Sequence, residues 1–196
     1  ISMLRDAGIE AYPVLMNRRD QLMIPYAHPS LQKLSTFIVG IANTDSTFVY
    51  LDASVRDGYI SVLPPVLMTN RARLLIPQRS QWVDLQNICK NSIRTNIQAL
   101  ITPEGKLTGK RMTNYNGQNA ADLRKEFRTS KDSLDFIQKI NDRENIQVMN
   151  YTAKGLHDFS PTVQEVMEFE KQATVNDAYI YVNPLVFLHT SESPFK

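Results

Sequence analysis

Apolar and polar positions along this chain fall into short strand-like runs first, and into longer alternating and helical runs later. Residues 11–17 (AYPVLMN) form a β-rich run, and residues 36–42 (TFIVGIA) and 47–53 (TFVYLDA) flank the polar turn NTDS. Two such runs around a turn predict an antiparallel pair. Residues 59–65 (YISVLPP) predict another short strand stopped by two prolines, and residues 71–77 (RARLLIP) predict one more. Between these runs, residues 18–34 form a long loop containing Pro25 and Pro29. Loops of this length in compact domains are often functional or disordered.

Residues 77–89 read as a junction with one anchoring Trp82. Beyond it, residues 92–117 alternate around the turn PEGK. Ile93, Thr95, Ile97, Ala99 and Ile101 share one face, and Leu107, Gly109, Arg111, Thr113 and Tyr115 answer it with a less apolar one. That is the pattern of a half-buried hairpin. Two helices follow. Residues 117–129 space Ala120, Ala121, Leu123, Arg124 and Phe127 for one side of a helix. Residues 130–142 open with Ser130 as cap and put Leu134, Ile137 and Ile140 on one stripe. Strands return over 145–156, 162–173 and 178–188. The run 162–173 is compatible with a helix, but Pro161 and its flanking runs favour a strand in a meander.

The expected class is therefore α+β, mainly β and antiparallel, divided into residues 1–88 and 89–196. The start of the chain carries a further signal: Ile1 to Arg5 have apolar residues at helical spacing before Ala7-Gly8-Ile9, which predicts a last helical turn closed by a glycine. A domain rarely opens on the end of a helix, so the expectation is a piece of something longer.

Composition narrows the chemistry. With 196 residues, 42% apolar and 21% charged, the chain has the balance of a globular protein large enough for a real core. A net charge of +2 does not by itself call for nucleic acid or an anionic membrane, and no apolar run approaches the roughly 20 residues that span a bilayer. Arg71, Arg73 and Arg79 with Trp82 make a small basic patch, whose simpler reading is a solvated strand face. His28, His157 and His189 are far apart and none has a second ligand at zinc-binding spacing, so no metal is expected. The 7 glycines form no cluster, which removes phosphate loops and dinucleotide fingerprints; no cofactor is expected. The single cysteine, Cys89, precedes Lys90, which would favour a thiolate, but no base lies near it in sequence. A small residue packed at a junction is the simpler reading.

Several segments carry a resemblance. MLRDAGIEAYPVLMNRRD resembles the segment after the nucleophile helix in bacterial transglutaminase-like proteins, and LSTFIVGI with TFVYLDAS is similar to the strands that carry that family's catalytic histidine and aspartate. VLPP, RARLLIP and WVDL fit the tail of that domain. EGKLTG, between Glu104 and Gly109, with GQNAADLRKEF and YIYVNPLVF, resembles the C-terminal β-sandwich-type domain that accompanies it. The resemblance implies a β-rich half of a transglutaminase-like domain over 1–88, followed over 89–196 by a sandwich-like domain with two helices. It also implies a periplasmic or cell-envelope setting.

The family's chemistry is thiol acyl transfer, in which a cysteine attacks, a histidine moves its proton and an aspartate orients the imidazole. Carried over, the aspartate matches Asp52, the cysteine would precede Ile1, and the histidine position falls on Thr36. Threonine cannot act as a general base, and loss of the base costs about 10³-fold or more. His28, eight residues upstream, is a conceivable substitute. Asp52 can instead cap the turn DASVRDG, or pair with Arg56 or Arg71.

The expectation is a degenerate, non-catalytic relative that binds a protein, peptide or glycan. The alternative is an active thiol acyl-transfer enzyme with its cysteine upstream. A carbohydrate- or peptide-binding module using Tyr12, Tyr26, Tyr59, Tyr115 and Trp82 is a third reading.

Overall fold

The computed structural model describes residues 1–21, 34–45, 47–158, 160–176 and 179–182. The expected strands Ala11–Met16 (β1), Thr36–Ala42 (β2), Phe48–Leu51 (β3) and Ala72–Leu74 (β4) form, joined by Gln81–Val83 (β5). They make one antiparallel sheet in the order β3-β2-β1-β4-β5. The β2–β3 hairpin pairs Val39 with Leu51 and Ala42 with Phe48. Because side chains alternate across a strand, one face of this sheet collects Val14, Met16, Ile38, Tyr50, Ala72 and Leu74, which pack with Leu63, Leu67 and Leu85.

The strand expected over residues 59–65 does not form. Ser61 has φ +60, its N–H donates to the Tyr50 carbonyl at 2.7 Å, and the Val62 N–H closes a turn on the Tyr59 carbonyl at 3.0 Å. Val62 and Leu63 are adjacent yet both buried, which a strand with one open face cannot do. The segment crosses the sheet and covers its core. A 3-10 turn, Pro65–Leu67, follows, in keeping with the proline-fixed backbone.

The predicted hairpin is Ser92–Ile101 (β6) and Lys106–Asn116 (β7), with Ile93 opposite Tyr115 and Ile101 opposite Leu107. Gly105, at φ +79, takes the positive φ that the turn requires. With Gln147–Lys154 (β8) and Thr162–Gln172 (β9), it makes a second antiparallel sheet in the order β6-β7-β9-β8. A short ribbon, Thr174–Asn176 (β10) with Tyr179–Tyr181 (β11), follows. The rest of the strand expected over residues 178–188 falls outside the described residues, as does most of the loop 18–34.

Three helices complete the described residues: Ser2–Asp6 (α1), Gln118–Thr129 (α2) and Ser133–Glu144 (α3). The helical turn expected at the start closes as a Schellman motif. Gly8, at φ +76, donates to the Arg5 carbonyl, and Ile9 donates to that of Leu4. Where a sandwich-like domain was expected, a single four-stranded sheet faces a layer of α2 and α3 in place of a second sheet. Tyr115, Ala120, Leu123, Phe136, Ile140, Ile146, Val163, Met167 and Phe169 fill the space between. The mainly β, antiparallel α+β class read from the sequence is the one observed.

Two details of α3 differ from expectation. Its cap is Asp132, which accepts from the Asp135 N–H at 2.8 Å, whereas Ser130 ends α2 by donating to the Glu126 carbonyl at 2.9 Å. The stripe that meets the core also differs: Phe136 and Ile140 are buried and Leu134 is 76% exposed. The inner side of the hairpin is also more polar than an apolar core would be. Arg111 is buried between Glu144 and Glu165, bonding the former through Nη1 and Glu165 Oε1 through Nη2 at 2.9 Å. The Tyr151 hydroxyl donates to Glu165 Oε2 at 3.2 Å. Burial works against the Arg111 charge, but its two carboxylate partners outweigh that and hold it above the ordinary arginine value. Burial pushes the Glu165 carboxyl up, against the pull of Arg111.

Candidate functional site

Asp52 is the first residue after β3, and the sequence D-A-S determines what its carboxylate does. Oδ1 accepts the Ser54 N–H at 2.9 Å and the Ser54 hydroxyl at 2.7 Å, and the Asp52 carbonyl accepts the Val55 N–H at 3.3 Å. This is an Asx turn: a short acceptor side chain satisfies the backbone two residues on. Of the two structural readings, the turn cap is the one seen: Ser54 is its partner, and among the described residues no bond to Arg56 or Arg71 joins it.

Thr36 opens β2 opposite Met16. Since β2 begins where β3 ends, the register brings Thr36 and Asp52 to the same end of the β2–β3 pair. Among the described residues no hydrogen bond joins them.

The other residues singled out from the sequence take structural roles or lie elsewhere. His28, His189 and Tyr26 fall outside the described residues. His157 is exposed, its ring edge-on to Phe127 at 5.3 Å. Among the described residues no group of three His, Cys, Asp or Glu could hold a metal. No described helix is long and apolar enough to cross a membrane. Cys89 is half-buried at the junction, with Sγ 3.8 Å from Asn91 Oδ1. Arg73 lies over the Trp82 ring at 5.1 Å and donates to Ser80 at 2.8 Å, so this part of the basic patch joins β4 to β5. Of the aromatics, Tyr115 is buried in the core, Tyr12 packs edge-on to Phe48 at 6.4 Å, and Tyr59 is 36% exposed.

One cleft among the described residues was not among the sequence expectations. A cleft of about 420 Å³ opens where the segment after β3 meets the end of α2. It is lined by Arg56, Asp57, Arg124, Phe127, Arg128 and His157, with Leu156 and Asp158 at its side. Arg128 clasps Asp57 through Nε, 3.0 Å from Oδ1, and Nη2, 2.5 Å from Oδ2. That hydrogen-bonded partner holds the guanidinium above its ordinary value. Arg124 is buried and donates to the carbonyls of Gly155 at 2.8 Å, Ser160 at 2.5 Å and Thr162 at 3.4 Å. It also reaches that of Asp57 at 3.5 Å. Burial draws its pKa down. The two contacts with Asp57 join the segment after β3 to α2, while the other Arg124 bonds tie α2 to the β8–β9 connection. The signal for this was present in the sequence: Arg124 falls on the apolar side of α2, where a cation stays only if acceptors meet it.

No family model, curated protein or solved structure matches this chain.

Proposed function

We propose that this chain is a non-catalytic, transglutaminase-like binding or scaffolding module of the cell envelope, with a protein, peptide or glycan as partner. One observation carries the reading: the Asp52 carboxylate is engaged by its own turn through two bonds from Ser54. An orienting acid needs its acceptor oxygens aimed at an imidazole N–H. The neighbouring position at the same end of the hairpin is Thr36, a hydroxyl that cannot take a proton from a thiol at neutral pH. The contacts of Arg124 and Arg128 with Asp57 support a scaffolding role, since they tie the segment after β3 to α2 beside an open cleft. The envelope setting rests on the sequence resemblance.

The test has two arms. The 196-residue chain, incubated at neutral pH with an activated acyl donor and an added small thiol, is expected to leave acyl transfer to that thiol at its uncatalysed rate. Asp52→Asn and Thr36→Val are expected to leave that rate unchanged. Rapid acylation that Asp52→Asn slows overturns the non-catalytic reading. Peptide and glycan arrays probe binding, and silence across both overturns the binding role.

A further inference from the structure

Among the described residues, β6 is an edge strand left open on two sides. It pairs with β7 over ten residues, Ser92 to Ile101, without a shift in register, and no described strand lies on its other side. The helix layer covers β7, β9 and β8 but stops short of β6. Ile93, Ile97 and Ile101 therefore stay 38%, 39% and 40% exposed on the inner face, although their partners Tyr115 and Arg111 across the hairpin are buried.

Natural edges are usually blunted by bulges, prolines or charges. The opposite edge of this sheet follows that rule, since β8 carries a bulge between Val148 and Asn150. β6 has no bulge and no proline, and Arg94 is its only charge.

We propose that β6 is a homodimer interface, pairing antiparallel with β6 of a second copy about a two-fold axis at Ile97. The spacing of the strand argues for this occupant. An isologous contact must be self-complementary: if residue i meets j, then j meets i. With Ile97 on the axis, Ile97 meets its own counterpart, Ile93 meets Ile101 and Thr95 meets Ala99. On the outer face, Arg94 meets Leu100 and Asn96 meets Gln98. Every isoleucine meets an isoleucine, and no like charges oppose. Moving the axis one inner-face step either way, to Thr95 or Ala99, leaves an isoleucine without an isoleucine partner. The product is a continuous eight-stranded sheet with both helix layers on one side. This inference is independent of the reading of Asp52.

Sedimentation equilibrium of the full 196-residue chain across a micromolar range is expected to show a monomer–dimer equilibrium. Ile97→Lys sets two cations opposite each other on the axis, and like charges directly opposite are destabilising. It is expected to weaken the dimer at least about tenfold, while Leu134→Lys, on exposed α3, leaves it unchanged. The register is read by cysteine pairing in a Cys89→Ser background: Ile97→Cys is expected to form a disulfide with its counterpart, and Asn96→Cys is not. Circular dichroism checks that each variant folds. A monomer at all concentrations overturns the proposal. So does a dimer indifferent to Ile97→Lys, or a monomer whose β6 amides resist hydrogen exchange because the chain's own residues cover that edge.

Discussion

Replacing Arg111 by leucine keeps much of its bulk and removes the cation from the most enclosed charge cluster in the second sheet. Arg111 and Glu165 are each 1% exposed, and the Glu144 side chain is 9% exposed. Breaking a buried ion pair by removing one partner costs about 3–5 kcal/mol, because the remaining charge is buried without compensation. Two features place this site at the lower end. Glu165 keeps the Tyr151 hydroxyl as a donor, and Glu144 keeps Arg143 at 3.7 Å. A loss of about 3 kcal/mol is expected at neutral pH. In urea this lowers the unfolding midpoint by about 1.5 M for a slope of about 2 kcal/mol/M.

The pH dependence has a definite sign. Burial already raises the Glu165 carboxyl above its unfolded value, and losing Arg111 raises it further. A raised carboxyl contributes stability that is fully present below the unfolded carboxylate range and is lost as pH rises through the folded pKa. The variant is therefore most stable in acid and weakens toward neutrality more steeply than the parent, and adding Glu165→Gln recovers part of the loss. A loss below about 1 kcal/mol with no added pH dependence refutes the buried-pair description.

The remaining predictions concern the junction and the helix ends. Arg124→Ala leaves buried carbonyls without their donor and is expected to cost about 2–4 kcal/mol, whereas Arg128→Ala removes a 40% exposed cation and costs clearly less; thermal or urea unfolding separates them. Gly117→Ala is expected to cost about 2 kcal/mol or more, because φ is +63 and the new Cβ falls 2.3 Å from Asn91 Oδ1, the acceptor for the first N–H of α2. Asp132→Ala is expected to cost about 1 kcal/mol in the same assay and Ser130→Ala clearly less, which checks which residue caps α3.

The long alternating elements were legible in the sequence because each has one period and one face. The β6–β7 hairpin, the β2–β3 pair and the strand over β9 all emerged from that pattern. Legibility failed where a segment is short or answers to something outside itself. β5 has three residues, too few for a period, and it is defined by pairing with β4, Trp82 opposite Arg73. Residues 59–65 have strand-like composition, but Ser61 turns the backbone and both Val62 and Leu63 are needed to cover the first sheet. Ser130 and Asp132 are both good caps in isolation; which one serves depends on where α2 stops. At the site, the choice for Asp52 between turn and catalysis was open in the sequence, and Ser54 two residues on was the visible clue. The Arg124–Asp57 cleft joins residues 67 apart, a distance that no local pattern spans.

The role of Asp52 is tested most directly by comparing the unfolding free energies of Asp52→Asn and Asp52→Ala with that of the parent chain. Asparagine keeps the acceptor oxygen for Ser54, so Asp52→Asn is expected to match the parent, and Asp52→Ala to lose about 1 kcal/mol with the turn's two bonds. Residues held in place for chemistry often do so at the expense of stability. An Asp52→Ala protein more stable than the parent would contradict the assignment of Asp52 to its turn and return it to a catalytic group.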